Sequence, residues 1–114
     1  MITVTLRRGP DGMIREFSAA GHSGFADPGT DIICAAVSAI ATTVIGSLQD
    51  LAGLKPVYRL EEGLIECRLP DPEDMNAGQS GTARTLMDTM AVGCRQIQDS
   101  YGKRYVRIIE KSFI

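Results

Sequence analysis

The sequence has one histidine, His22, and three cysteines, Cys34, Cys67 and Cys94, so widely scattered that no Cys-x-x-Cys pair exists. That set falls short of the ligand spacing of a zinc site, so no metal is expected. A thiol redox centre needs a resolving cysteine near the first, and neither Cys67 nor Cys94 stands close to Cys34. No loop carries the Gly-Lys-Ser/Thr ending of a phosphate cradle, which leaves nucleotide hydrolysis unsupported and no cofactor expected. Excess positive charge is also missing. Twelve Lys and Arg face fourteen Asp and Glu, a net charge of −2, opposite in sign to a phosphate-neutralising surface, so nucleic acid is not expected as a direct partner. The longest apolar run, Ile32 to Ala41, is interrupted by Ser38 and is shorter than a bilayer span. Met1 leads directly into strand-like alternation, without the basic and apolar regions of a secretory leader. A cytoplasmic protein with no membrane partner is the expectation, and a reducing cytosol would keep all three thiols free.

What is present fits one domain over residues 1–114, long enough to bury roughly 60–70 % of the surface its unfolded chain exposes. Ile2, Val4 and Leu6 alternate with Thr3, Thr5 and Arg7, the period of a half-buried strand. Gly9 to Gly12 then supplies a turn, and Met13 to Ala20 reads as the return strand of a hairpin. After a loop from Gly21 to Thr30, a helix is expected from about Asp31 to Ala52, capped by Thr30 or Asp31 and ended by Gly53. Its buried stripe is Ile33, Val37, Ile40, Val44, Leu48 and Leu51. Pro56 separates this from a second hairpin, in which Ile65, Cys67 and Leu69 share a face. Ala83, Leu86, Met90, Cys94, Ile97 and Tyr101 mark a second amphipathic helix that stops near Gly102, and Tyr105 to Ile109 forms a last strand. The order ββαββαβ predicts an α+β fold, two helices on one face of a mixed or mostly antiparallel sheet.

One constellation has the residue types for chemistry. With Asp31 as N-cap, Cys34 occupies the third helical position, where unpaired N–H groups and the helix dipole favour negative charge. A thiolate is the reactive form of cysteine. With His22 in reach, sulfur can attack a carbonyl while imidazolium protonates the leaving amine. The first-turn N–H groups, including that of Cys34, are candidates to bind the oxyanion. Gly21, Gly24 and Gly29 suit a mobile loop over such a site, across which an extended peptide could pair.

Each residue also has a plainer reading. Cysteine in an alanine-rich helix fits a small core side chain, histidine at a strand end fits a turn, and the glycines fit turn punctuation. Asp31 can cap the helix or orient His22. Ser38, one turn beyond Cys34, can bond into the site or back onto the carbonyl of Cys34. Cys67 and Cys94 fall on the apolar side of their elements and read as core. A peptide-binding module without catalysis is the alternative to an enzyme.

The stretch "GHSGFADPGTDIICAAVSAI", Gly21 to Ile40, resembles the signature of the ribosomal-processing cysteine protease (Prp) family. Gly-His, a glycine-containing loop and Gly-x-Asp-Ile-(Val or Ile)-Cys-Ala recur there with this His-to-Cys spacing. The opening "MITV", the chain length and the element order extend the likeness along the chain. The resemblance implies His22 as base and acid, Cys34 as nucleophile, and Asp31 and Ser38 as supporting positions. It also implies a homodimer, and removal of an N-terminal extension from a large-subunit ribosomal protein by a cut in a short hydrophobic and aromatic motif; the non-catalytic alternative is then a ribosome-assembly module. Two departures stand out: Ala35-Ala36-Val37 follows Cys34 where a glycine is often second, and the loop has Pro28 and no second histidine.

Overall fold

The computed structural model describes residues 1–27 and 29–114. Pro28 lies outside the described residues. Strands β1 (Ile2–Arg8) and β2 (Ile14–Ala20) form the first hairpin, paired antiparallel from Thr3 with Ala20 to Arg7 with Glu16. Its reversal is closed locally: the Gly12 N–H donates to the Gly9 carbonyl at 3.0 Å, and the Met13 N–H donates to Asp11 Oδ1 at 3.0 Å, the aspartate supplying the acceptor that a turn needs.

The second hairpin, β3 (Val57–Glu61) and β4 (Leu64–Arg68), extends the sheet through β4 against β2. The last strand, β5 (Val106–Ser112), runs parallel to β1 along its whole length, from Ile2 beside Val106 to Arg8 beside Ser112. That pairing explains why β5 continues three residues past Ile109, where the apolar pattern fades. The resulting five-stranded mixed sheet has the order β3-β4-β2-β1-β5, and the chain follows the expected ββαββαβ order.

Helix α1 (Ile32–Asp50) and helix α2 (Ala77–Tyr101) pack on each other and on the sheet. Leu6, Phe17 and Cys67 lie side by side in register with no exposed surface, forming the middle of the core. The buried stripe of α1 is Ile33, Val37, Ala41, Val44, Ile45 and Leu48. By length and composition α1 could cross a membrane, yet this stripe is packed in the core.

Leu51 departs from the expected stripe: it is the C-cap residue and is 72 % exposed. The chain folds back there, the Leu54 N–H reaches the Leu48 carbonyl at 3.0 Å, and buried Leu54 fills the core instead. Tyr101, at the last position of α2, is likewise on the surface. It meets Phe25 of the 21–30 loop edge-on, ring centroids 6.0 Å apart. Strand β3 is exposed at every position, so the rim of the sheet beside the start of α1 is open, and the candidate site lies there.

Candidate active site

Helix α1 starts as the sequence demands. Asp31 is its N-cap, and Oδ1 accepts from the N–H groups of Ile33 and Cys34, each at 3.0 Å. These donors have no carbonyl of an earlier turn to pair with, and a carboxylate is an apt acceptor for them. Asp31 Oδ2 accepts from the Ser23 hydroxyl. Through these bonds, Ser23 first, and through the neighbouring Cys34 thiol, the carboxyl is held well below its ordinary range, at about 2, against the opposing effect of burial. Asp31 is therefore committed to the cap and to Ser23. His22 receives none of its bonds among the described residues.

The expectation that the Cys34 N–H binds an oxyanion is corrected by the same geometry. That N–H and the one before it already donate to Asp31. What reaches the sulfur is the Ser23 N–H, 3.3 Å from Sγ. Ser23 is 3 % exposed, and its oxygen also accepts from the Phe25 N–H at 3.0 Å. Phe25 packs edge-on against Tyr105, centroids 5.4 Å apart, as well as Tyr101. Thus the loop is tied to the cap of α1 at one end and, beyond, to the rings of Tyr101 at the end of α2 and Tyr105 just before β5.

His22 follows the end of β2 and is exposed. Its carbonyl accepts from the amino group of Met1, and the preceding Gly21 N–H donates to the Gly63 carbonyl at 2.8 Å. Gly21 must be glycine on two counts: φ is +99°, and a Cβ would stand 2.5 Å from the Met1 carbonyl oxygen. Gly63, in the turn of the β3–β4 hairpin, has φ +73°, and a Cβ there would come within 3.2 Å of His22 Nε2. The bare hairpin turn lets the imidazole lie against it. No hydrogen bond joins the His22 ring to Cys34 among the described residues, but both line one cleft of about 570 Å³. Val37, Leu64 and Ile65 give that cleft apolar walls, and Glu61 and Glu62 stand at its hairpin side.

Cys34 is half-buried and free, whereas Cys67 and Cys94 are free and have no exposed surface. Burial pushes the Cys67 thiol up to about 12, with help from the Glu16 charge, and the Cys94 thiol up to about 11. Only Cys34 is both accessible to a substrate and placed at a helix start. Ser38 lines the cleft beside it. Its own carbonyl accepts from the Thr42 hydroxyl at 2.8 Å, and no bond from its hydroxyl to the Cys34 carbonyl is made among the described residues.

The family model of the cysteine protease Prp matches residues 1–107. The chain belongs to the Prp family of cysteine proteases. It is 33 % identical over 103 residues to the ribosomal processing cysteine protease Prp of Bacillus subtilis (strain 168), covering 89 % of this chain and 90 % of that protein. Among solved structures, the fold is similar to that of the ribosomal processing protease Prp from S. aureus with a covalently linked product peptide. There the TM-score is 0.85 at 24 % identity, over 97 % of this chain and 100 % of that one. It is also similar to SMU.848 from Streptococcus mutans, with a TM-score of 0.81 at 22 % identity, over 99 % and 96 % of the two chains.

The cleft brings a thiol, an imidazole and open space with apolar walls together. Sequence reasoning singled out His22, Cys34, Asp31, Ser38 and the loop glycines Gly21, Gly24 and Gly29, all of which line the cleft. It missed two contributors. Gly63 comes from a hairpin 41 residues after His22, and only the sheet register brings them together. Ser23 sits in the motif itself, but a serine in a glycine-bearing loop carries no sign of burial.

Proposed function

We propose that this protease removes the N-terminal extension of a large-subunit ribosomal protein, with Cys34 as nucleophile and His22 as acid and base. The observation that carries the reading is the shared cleft: the half-buried thiol and the histidine line one cavity with apolar walls. An extended hydrophobic segment suits such walls, and a cut in a hydrophobic and aromatic motif suits such a segment. The B. subtilis relative, named as a ribosomal processing protease, supports the choice of substrate. The cytoplasmic location and the homodimer expected from the sequence belong to this proposal.

In this reading the Cys34 thiolate attacks the scissile carbonyl carbon, and His22 as imidazolium gives a proton to the leaving amine nitrogen. A thioester to Cys34 remains. His22, now neutral, takes a proton from water as it attacks the thioester, which releases the acid and restores the Cys34 thiolate beside the imidazolium. The loop from Ser23 to Thr30 forms the wall across which the peptide lies.

Mass spectrometry of large-subunit ribosomal proteins from cells with and without this protein tests the substrate. The expected result is one protein that keeps an N-terminal extension only when the enzyme is absent. Identical N-termini across the whole set would overturn the substrate assignment while leaving the protease family membership intact.

A further inference from the structure

We propose that Ser23 is a positioning residue for the Cys34 thiol: its hydroxyl, bonded to Asp31, fixes the loop so that its own N–H points at Sγ. The inference rests on Cys34 being the nucleophile. Three observations carry it. Ser23 is 3 % exposed although it sits in a loop whose neighbours His22, Gly24 and Phe25 are exposed. Its oxygen is used twice, donating to Asp31 Oδ2 and accepting from the Phe25 N–H at 3.0 Å. Its N–H lies 3.3 Å from Sγ. A backbone turn with two side-chain bonds has little freedom left, so the direction of that N–H is set by the hydroxyl.

The electrostatic consequence follows from the placement. Asp31 brings a negative charge near the sulfur, which by itself opposes a thiolate. Its charge is spread over three donors, the Ser23 hydroxyl and the N–H groups of Ile33 and Cys34. The Ser23 N–H then gives the sulfur a donor of its own, in compensation. Ser23 thus acts on both groups, on Asp31 through Oγ and on Cys34 through its amide. The other titratable groups on the cleft are His22, Glu61 and Glu62. A serine that only stabilised the loop would leave the chemistry of the thiol unchanged.

Iodoacetamide alkylation of the full chain separates these roles, since it needs no protein substrate. In Ser23→Ala we expect the Cys34 rate at pH 7 to fall about five-fold and its pH–rate curve to move to higher pH, as loss of a donor to the anion requires. Ser23→Thr, which keeps the hydroxyl, should restore most of the rate. Alkylation of folded Ser23→Ala at the wild-type rate would overturn the proposal, as would a folded Ser23→Thr as slow as Ser23→Ala. A measurement on the unmutated chain decides the matter even where both variants fail to fold. The Ser23 amide proton, followed by NMR, should shift as pH rises through ionisation of the thiol, and should stay still over that range in Cys34→Ser. An amide that ignores the thiol in the wild type sinks the idea. Proteolysis that survives in Cys34→Ala would instead remove the nucleophile assignment, a separate failure that leaves the amide measurement standing on its own.

Discussion

The two helices begin in different ways. At the start of α2, Asn76 and Gln79 form a closed capping box: Asn76 Oδ1 accepts from the Gln79 N–H at 2.8 Å, and Gln79 Oε1 accepts from the Asn76 N–H at 3.0 Å. Asn76 is exposed, Gln79 is half-buried, and the two lie within four residues, so the box closes on itself; its one bond further afield runs from Gln79 Nε2 to the Gly53 carbonyl at 3.5 Å. At the start of α1 the cap is a buried carboxylate whose second oxygen is held by a serine eight residues away. That serine's amide points at a thiol. Capping is a local duty at α2, while at α1 it couples the helix, the loop and the sulfur, which is what a reactive site requires and a structural end does not.

The three cysteines repeat the contrast, and replacing them gives the largest expected effect. Cys34→Ala should lower proteolytic turnover at least ~10³-fold, because no other group in the cleft supplies a nucleophile of that kind. Cys67→Ala and Cys94→Ala should keep turnover and lose about 1–2 kcal/mol of stability as small cavities open in the core. Activity assays beside denaturant melts check both halves. Loss of turnover in a folded Cys67→Ala would break the comparison at its root.

His22→Ala should come next, with turnover reduced roughly 10²- to 10⁴-fold through loss of the proton donor. The fall should sit in kcat, with KM little changed, since the ring is asked to act on the leaving nitrogen. A fall confined to KM would make His22 a binding residue.

Alkylation sharpens the difference between the thiols without any substitution. In the folded protein iodoacetamide should modify Cys34 and leave Cys67 and Cys94, which have no exposed surface and are pushed up to about 12 and 11. In denaturant all three should react at similar rates, read by peptide mass.

How much of this was legible in the sequence depends on distance along the chain. The hairpins, the helices and the α1 cap are governed by neighbours a few residues apart, so alternation, helical spacing and Asp31 reveal them. Leu51 fails because periodicity ignores the cap that ends the helix: the spacing continues while the chain turns away. Cys34 and His22 could be singled out because helix-start chemistry and a lone histidine are local facts. The use of Asp31 Oδ2 could not, since Ser23 and His22 are adjacent and equally plausible partners until the loop is folded. The Gly63 wall depends on strand pairing 41 residues away, which no window reads.

Acid should expose the Asp31 cap. Its hydrogen bonds, that from Ser23 first, hold the carboxyl down at about 2 in the folded protein, below the ordinary aspartate value of 3.8. A depressed pKa means that Asp31 stabilises the fold fully above about pH 4, and that this contribution is lost as pH falls from there towards 2. Asp31→Asn keeps an oxygen for the cap but removes the charge. The gap in melting temperature between wild type and Asp31→Asn should therefore be widest at neutral pH and narrow below pH 4. A gap that does not change with pH would mean that the charge contributes nothing beyond the hydrogen-bond geometry.

The smallest effect should come from the other helix start. Asn76→Ala removes the side-chain acceptor for the Gln79 N–H and, with it, the reason for Gln79 to reach back. Loss of such a cap costs about 1 kcal/mol, enough to shift a denaturant midpoint measurably. Its box touches neither the cleft nor the loop that carries Ser23, so kcat, KM and the alkylation rate of Cys34 should all match the wild type. Asp31→Ala, by contrast, should lower stability and change the alkylation rate of Cys34 together, because one carboxylate serves the helix, holds the loop and stands near the sulfur. The pair of variants measures the coupling directly. If Asn76→Ala also slowed Cys34, α2 would be transmitting its end to the site through Tyr101 and Phe25, and the two helix starts would no longer be independent. If Asp31→Ala changed stability alone, the α1 cap would be as local as the one at α2.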